Sequence, residues 1–131
     1  MRVARADESK EIQITEFPYK GVPLPVRDVT VRWLSQAGPA DSPEYGLRLF
    51  RIGPSGEIPI HKHFYYQTMY VLSGAMVVAV HDPETDAKTD ERRAGPSEVV
   101  FIPTMEPHSI VNASAQEECV FLCAIANVYD N

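Results

Sequence analysis

Gly56-Glu57-Ile58-Pro59-Ile60-His61-Lys62-His63-Phe64-Tyr65-Tyr66-Gln67 ends an apolar run with two histidines two residues apart. On a strand, residues i and i+2 point to the same face, so both imidazoles can converge on one ion at metal–nitrogen distances of roughly 2.0–2.1 Å. Alone, a His-x-His pair is weak evidence, because two surface or hydrogen-bonded histidines are the commoner reason for it. A second segment, Pro103-Thr104-Met105-Glu106-Pro107-His108-Ser109-Ile110-Val111-Asn112, brings a third of the chain's four histidines.

Outward from these segments the chain reads as β structure. Eleven prolines and seven glycines punctuate short runs rich in Val, Ile, Phe and Tyr, as in an all-β domain with frequent turns. The pattern predicts strands over residues 11–15, 29–35, 45–52, 58–63, 68–73, 75–81, 98–103, 108–112 and 119–127, and no helix. Val29-Thr30-Val31-Arg32-Trp33-Leu34 and Leu47-Arg48-Leu49-Phe50-Arg51-Ile52 alternate as half-buried strands do. Ala75-Met76-Val77-Val78-Ala79-Val80 and Val99-Val100-Phe101-Ile102 are continuous apolar runs, expected of strands covered on both sides. Ser73-Gly74 reads as a tight hairpin, Gly53-Pro54-Ser55-Gly56 as a break between two strands, and Gly95-Pro96-Ser97 as a further turn. The polar stretch 81–93 reads as a solvated hairpin or loop, with His81 an ordinary surface histidine.

At 131 residues one domain is expected, over residues 11–131, preceded by a polar segment 1–10 that is either frayed or an added edge strand. The net charge of −6 and the scattered Lys and Arg argue against a nucleic-acid partner, which calls for a basic face. No apolar run approaches the roughly 20 residues of a membrane span, and Met1-Arg2-Val3-Ala4-Arg5-Ala6-Asp7-Glu8 has no hydrophobic signal core. A cytoplasmic protein without a membrane partner is the expectation. Cys119 and Cys123, four apart on one predicted strand, stand roughly 13 Å apart at 3.3 Å per residue, too far for a bridge unless the strand breaks. They read as reduced core residues.

Taken together, Gly56, His61, His63, Gln67 and Gly74, followed by Gly95, Pro103, His108 and Asn112, resemble the two motifs of the cupin superfamily. The resemblance spans residues 54–112 and implies an all-β cupin-type jelly-roll barrel in a single domain, with His61, His63, Gln67 and His108 as ligands of one divalent transition metal ion per chain: iron, manganese, nickel, copper or zinc. Gln67 stands where the family more often has Glu or His, and Met105 where the second motif commonly has Gly. A neutral amide binds a cation through its carbonyl oxygen and leaves the ion's charge uncompensated, which would acidify bound water and favour anionic substrate oxygens. Alternatively Gln67 only hydrogen-bonds nearby and three histidines hold the metal.

Three or four protein ligands leave coordination positions open, the arrangement of a reactive site rather than a closed structural one. The resemblance therefore implies a metal-dependent enzyme of oxygenase type acting on a small chelating organic substrate. A non-redox lyase, isomerase or cyclase, and a binding or sensory module without turnover, remain alternatives. Phe64, Tyr65, Tyr66, Met69, Tyr70, Phe101, Met105 and Phe121 suggest an apolar pocket, with Tyr66, Tyr70 and Glu106 as candidate catalytic groups. A homodimer covering exposed sheet edges is expected, with residues 11–15 crossing between subunits.

Overall fold

The computed structural model describes residues 1–35 and 44–126. Nine strands occur among the described residues: β1 (Glu11–Tyr19), β2 (Val22–Ser35), β3 (Tyr45–His61), β4 (Gln67–Ser73), β5 (Met76–His81), β6 (Lys88–Ala94), β7 (Val99–Ile102), β8 (His108–Asn112) and β9 (Cys119–Ala126). A single turn of 3-10 helix, Ala6–Glu8, precedes them. All pairings are antiparallel, in the order β6-β5-β8-β3-β9-β4-β7, with β2 also on β3 and β1 outside β2. The result is the expected all-β cupin-type barrel, nearly closed.

The predicted break at Gly53-Pro54-Ser55-Gly56 is not a break. β3 runs through it without interruption, pairing with β9 and β2 over its first half and with β8 over its second. The two glycines let the strand bend where neighbours crowd it. A Cβ on Gly53 would meet Asp28 Oδ2 at 1.7 Å, and one on Gly56 would meet Arg27 O at 2.8 Å. The Asn112 side chain bridges the corner, donating from Nδ2 to the carbonyls of Ile52, Gly53 and Glu117 and accepting from Ser114 N. Glycine here marks a bend within a strand, one of the residue's recurrent roles in sheets.

Three other boundaries differ from expectation. β1 and β2 extend past residues 15 and 29 to meet at Lys20-Gly21, a two-residue hairpin turn with φ of 50° and 79°. Pro18, Pro23 and Pro25 lie inside this ladder and hide it from propensity, though proline is tolerated where its missing N–H faces away from the partner. β6 is a strand within the polar stretch, carried by its ladder to β5 rather than by burial, since only Ala94 is buried. The Val99–Ile102 run is covered on one side only: Val99 and Phe101 are exposed and Ile102 is buried. Asn127, the last residue of the predicted final strand, lies outside the described residues.

The barrel interior is filled by alternating residues, with Phe50 and Phe121 stacked at 5.2 Å between β3 and β9. Cys119 and Cys123 are buried and unbridged, and burial raises the Cys119 thiol to about 11. The β1–β2 hairpin tip is tied to the β5–β6 turn: the Tyr19 hydroxyl donates to Asp86 Oδ1 at 2.7 Å and Lys20 Nζ pairs with the same oxygen at 2.9 Å. That fixes Phe17 and Pro18 over one end of the barrel.

Gly21 and Gly74 both have positive φ, so each substitution by Ala carries a left-handed backbone penalty of about 1 kcal/mol. A Cβ at Gly21 meets nothing within 4 Å, whereas at Gly74 it would sit 2.3 Å from Glu118 O. Gly74→Ala should therefore destabilise by at least about 2 kcal/mol more than Gly21→Ala in urea unfolding, the cost of overpacking against backbone. Equal losses would show that the β4–β5 turn can move away from β9.

Candidate metal centre

The antiparallel register of β3 and β8 sets His61 directly opposite His108. His63 follows two residues beyond the end of β3, and Gln67 opens β4 after the intervening turn. The imidazole centroids lie 4.2 Å apart for His61 and His108, 5.1 Å for His63 and His108, and 5.4 Å for His61 and His63. One nitrogen from each ring falls within 4.8 Å of the others. The structure thus brings together the three histidines predicted from sequence, and places the Gln67 amide beside them.

Each ring is oriented by a backbone carbonyl. Nδ1 of His61 donates to Pro59 O at 2.8 Å, that of His63 to Tyr65 O at 3.2 Å, and that of His108 to Glu106 O at 2.8 Å. These bonds fix one tautomer in all three rings and leave each Nε2 as a lone pair. Stacking holds two rings further, Phe17 on His61 at 4.9 Å and Tyr65 on His63 at 3.9 Å. Gln67 Nε2 donates to His108 Nε2 at 3.3 Å, while the Cys123 thiol lies 3.8 Å from Gln67 Oε1.

His63 Nε2 is buried and has no hydrogen-bond partner. A buried polar atom with nothing to bond is costly and uncommon. Three converging lone pairs, one of them orphaned, fit a divalent cation: neutral imidazole is a metal ligand, and the carbonyl behind each Nδ1 raises its basicity.

Burial keeps the rings neutral. It pushes His61 down to about 3 and His63 down to about 4, with the neighbouring His108 adding to each shift, and it lowers His108 as well. At neutral pH the three Nε2 atoms therefore carry no proton and are open to a cation.

The cavity above the histidines is about 230 Å³. Phe17, Phe50, Ile58, Met69, Ile110 and Phe121 give it an apolar wall. Among its described lining residues there is no carboxylate, and Arg48 and Lys62 bring positive charge. Arg48 escaped the sequence reading. In Leu47-Arg48-Leu49-Phe50-Arg51-Ile52 the buried positions are Arg48, Phe50 and Ile52, so the leucines face outward and one arginine faces in. The signal was the parity of Phe50 and Ile52, which puts residue 48 on their face.

The candidate catalytic groups fall elsewhere. Tyr66 and Tyr70 are exposed, Tyr66 stacking on Phe101 at 5.9 Å, and neither lines the cavity. Glu106 supplies the carbonyl for His108 Nδ1, and its side chain lies beside a separate groove between β5, β6 and β7. Of the three tyrosines in this segment, Tyr65 is the one on the cavity wall.

Because the folded pKa values of His61 and His63 lie below 6.5, the unfolded chain takes up protons first as pH falls. Metal-free protein should show a flat melting temperature above about pH 6.5 and a progressive decline from there towards pH 4. Melting curves in chelator test this, and a flat profile down to pH 4.5 would contradict the burial of neutral rings.

A family model for the cupin domain matches residues 48–125. Among solved structures, the polyketide cyclase RemF from Streptomyces resistomycificus superposes with a TM-score of 0.77 at 24% identity, over 100% of this chain and 82% of that one. A predicted oxalate decarboxylase from Thermotoga maritima gives 0.74 at 20% identity, over 95% and 98% of the two chains. A cupin-2 domain protein from Rhodospirillum rubrum gives 0.71 at 22% identity, over 99% and 77%. At such identities the likeness is one of fold. No curated protein matches this sequence. With the family model spanning more than half its length, and the barrel and clustered histidines in place, the chain belongs to the cupin domain family.

Proposed function

We propose that this cupin is a metal-dependent enzyme in which His61, His63 and His108 bind one divalent transition metal ion, and that it acts on a small organic substrate whose oxygens chelate that ion. The orphaned Nε2 of His63 among buried, carbonyl-oriented imidazoles carries this reading. A bound ion would supply Lewis acidity to the chelating oxygens. The chain's own residues do the rest. Backbone carbonyls hold the three rings in their ligating tautomer, and Phe17, Phe50 and Phe121 line the cavity with apolar surface. Lys62, Tyr65 and Cys123 are further polar residues of the wall, beside Arg48 and Gln67.

Gln67 has two roles open to it. In this structure its NH₂ faces His108 and its oxygen faces the Cys123 thiol. Ligation through Oε1 requires the amide to turn over, which presents the NH₂ to Cys123 Sγ as an acceptor. Both ends of the amide can therefore be satisfied in either orientation.

An oxygenase acting on an enolisable or dihydroxylated compound is the favoured chemistry. The carboxylate-free wall supports it, since a general acid–base pair of the Asp or Glu type is missing from the described lining. A non-redox cyclase or lyase is the second reading, favoured by Lys62 and Tyr65 among the residues of the same wall.

Elemental analysis should find about one transition metal ion per chain. His63→Ala should weaken metal binding by roughly 100-fold or more, and Gln67→Glu should bind more tightly than Gln67→Ala if residue 67 is a ligand. Oxygen uptake by protein loaded in turn with iron, manganese, nickel and copper, offered catechols and 1,3-diketones, tests the chemistry. Turnover without oxygen consumption would favour the second reading. Recovery of every compound unchanged would point to a binding module, and a metal-free protein that refuses all four ions would end the proposal.

A further inference from the structure

The geometry points to Arg48 as an anion-binding subsite of the same cavity, so that the substrate is an organic anion carrying, besides its metal-chelating oxygens, a carboxylate or comparable anionic oxygen held by this guanidinium. The inference rests on the metal-dependent reading above for one end of the ligand and on Arg48 itself for the other.

Arg48 lies on the inward face of β3 with Phe50 and is 9% exposed. Its guanidinium stands between aromatic rings, 4.9 Å from the centroid of Phe50, 5.4 Å from Trp33 and 5.9 Å from Tyr65. Nη2 donates to Cys123 Sγ at 3.2 Å, and Nε is buried with no partner. Among the described residues no carboxylate forms an ion pair with it, although Arg5, Arg27, Arg32, Arg51 and Arg92 each have one on the surface. Five arginines nearer the surface thus have a carboxylate partner, and among the described residues the buried Arg48 has none.

That distribution is the reverse of what stability alone favours. A guanidinium has five donors and a full charge, and ring faces with one thiol acceptor replace only part of the hydration it loses. Buried charges are ordinarily paired, and leaving one unpaired is costly. Here a guanidinium with no carboxylate partner among the described residues and a bare Nε borders a cavity, so an anion entering from solvent would supply a partner. The planar fork suits a carboxylate, which can take two donors at once.

A chain of polar contacts joins the two ends of the site: Arg48 Nη2 to Cys123 Sγ, Cys123 Sγ to Gln67 Oε1, and Gln67 Nε2 to His108 Nε2. The guanidinium and the histidine cluster therefore share one wall. Phe50 and Tyr65, which flank the guanidinium, give a flat, apolar middle suited to a planar unsaturated skeleton. The chain's net charge of −6 makes this local positive charge a selective feature, since the protein as a whole does not attract anions.

Calorimetric titration of the metal-loaded chain with 3,4-dihydroxybenzoate and its neutral isostere 3,4-dihydroxybenzamide tests the subsite, because the diol is common to both. The acid should bind tenfold or more tightly than the amide. In Arg48→Met that ratio should fall to within about twofold with metal content unchanged. Arg48→Gln, which keeps a donor for Cys123 Sγ, should behave likewise and serves if the methionine variant does not fold. An acid-to-amide ratio near one in the parent, or a ratio that survives both substitutions, overturns the inference. The two proposals fail separately. A parent that binds no metal but still prefers the acid through Arg48 keeps the subsite and loses the metal reading. A parent that holds metal and shows no preference does the opposite.

Discussion

The continuity of β3 through its glycine corner is the constraint on which the molecule depends. One strand, Tyr45–His61, hydrogen-bonds to β2, β8 and β9, so it belongs to both sides of the barrel and passes from one to the other at Gly53–Gly56. Its first half carries Arg48 and Phe50 into the interior, and its second half delivers His61 opposite His108. Asn112 closes the corner, its amide NH₂ shared among the carbonyls of Ile52 and Gly53 at the bend and of Glu117 before β9. Without that bend the guanidinium and the imidazoles would not look into the same cavity.

The site is then built from groups kept in costly states. Three imidazoles are held neutral by burial, each with its proton placed on the nitrogen facing a carbonyl. One Nε2 has no partner, and neither does the Nε of a buried arginine. Such unsatisfied groups lower stability, and their concentration around one apolar cavity is the arrangement in which a cation and an anion together would complete the bonding. The barrel supplies the rigidity: stacked Phe50 and Phe121 beneath, and the β1–β2 hairpin fixed by Asp86 across one end.

Much of this was legible in the residues. Strand parity predicts that His61 and His63 converge, and they do, although β3 ends at His61 and His63 lies just beyond it; their spacing to Gln67, Gly74 and His108 carries the resemblance to the barrel family. The strands with strong apolar content were placed to within a few residues. Those carried by their neighbours were not: β6, charged along its length, and the proline-bearing parts of β1 and β2 hold their conformation through the ladder to a partner strand. Tyr66 and Tyr70 were attractive as hydroxyl groups near the ligands, but the turn after His63 resets the parity and leaves Tyr65 inside and its neighbour outside.

The amino-acid order by itself determined the period-2 patterning, the turn chemistry and the histidine spacing, because each is a property of residues close together in the chain. Tertiary structure alone decided which imidazole nitrogen is left bare, that the Gln67 amide meets His108 and Cys123, and that Arg48 faces a cavity with no described carboxylate to meet it. Those are relations among side chains brought together from β3, β4, β8 and β9. They depend on register and on the corner in β3, and a shift of one residue in either would have turned every one of them to the other face.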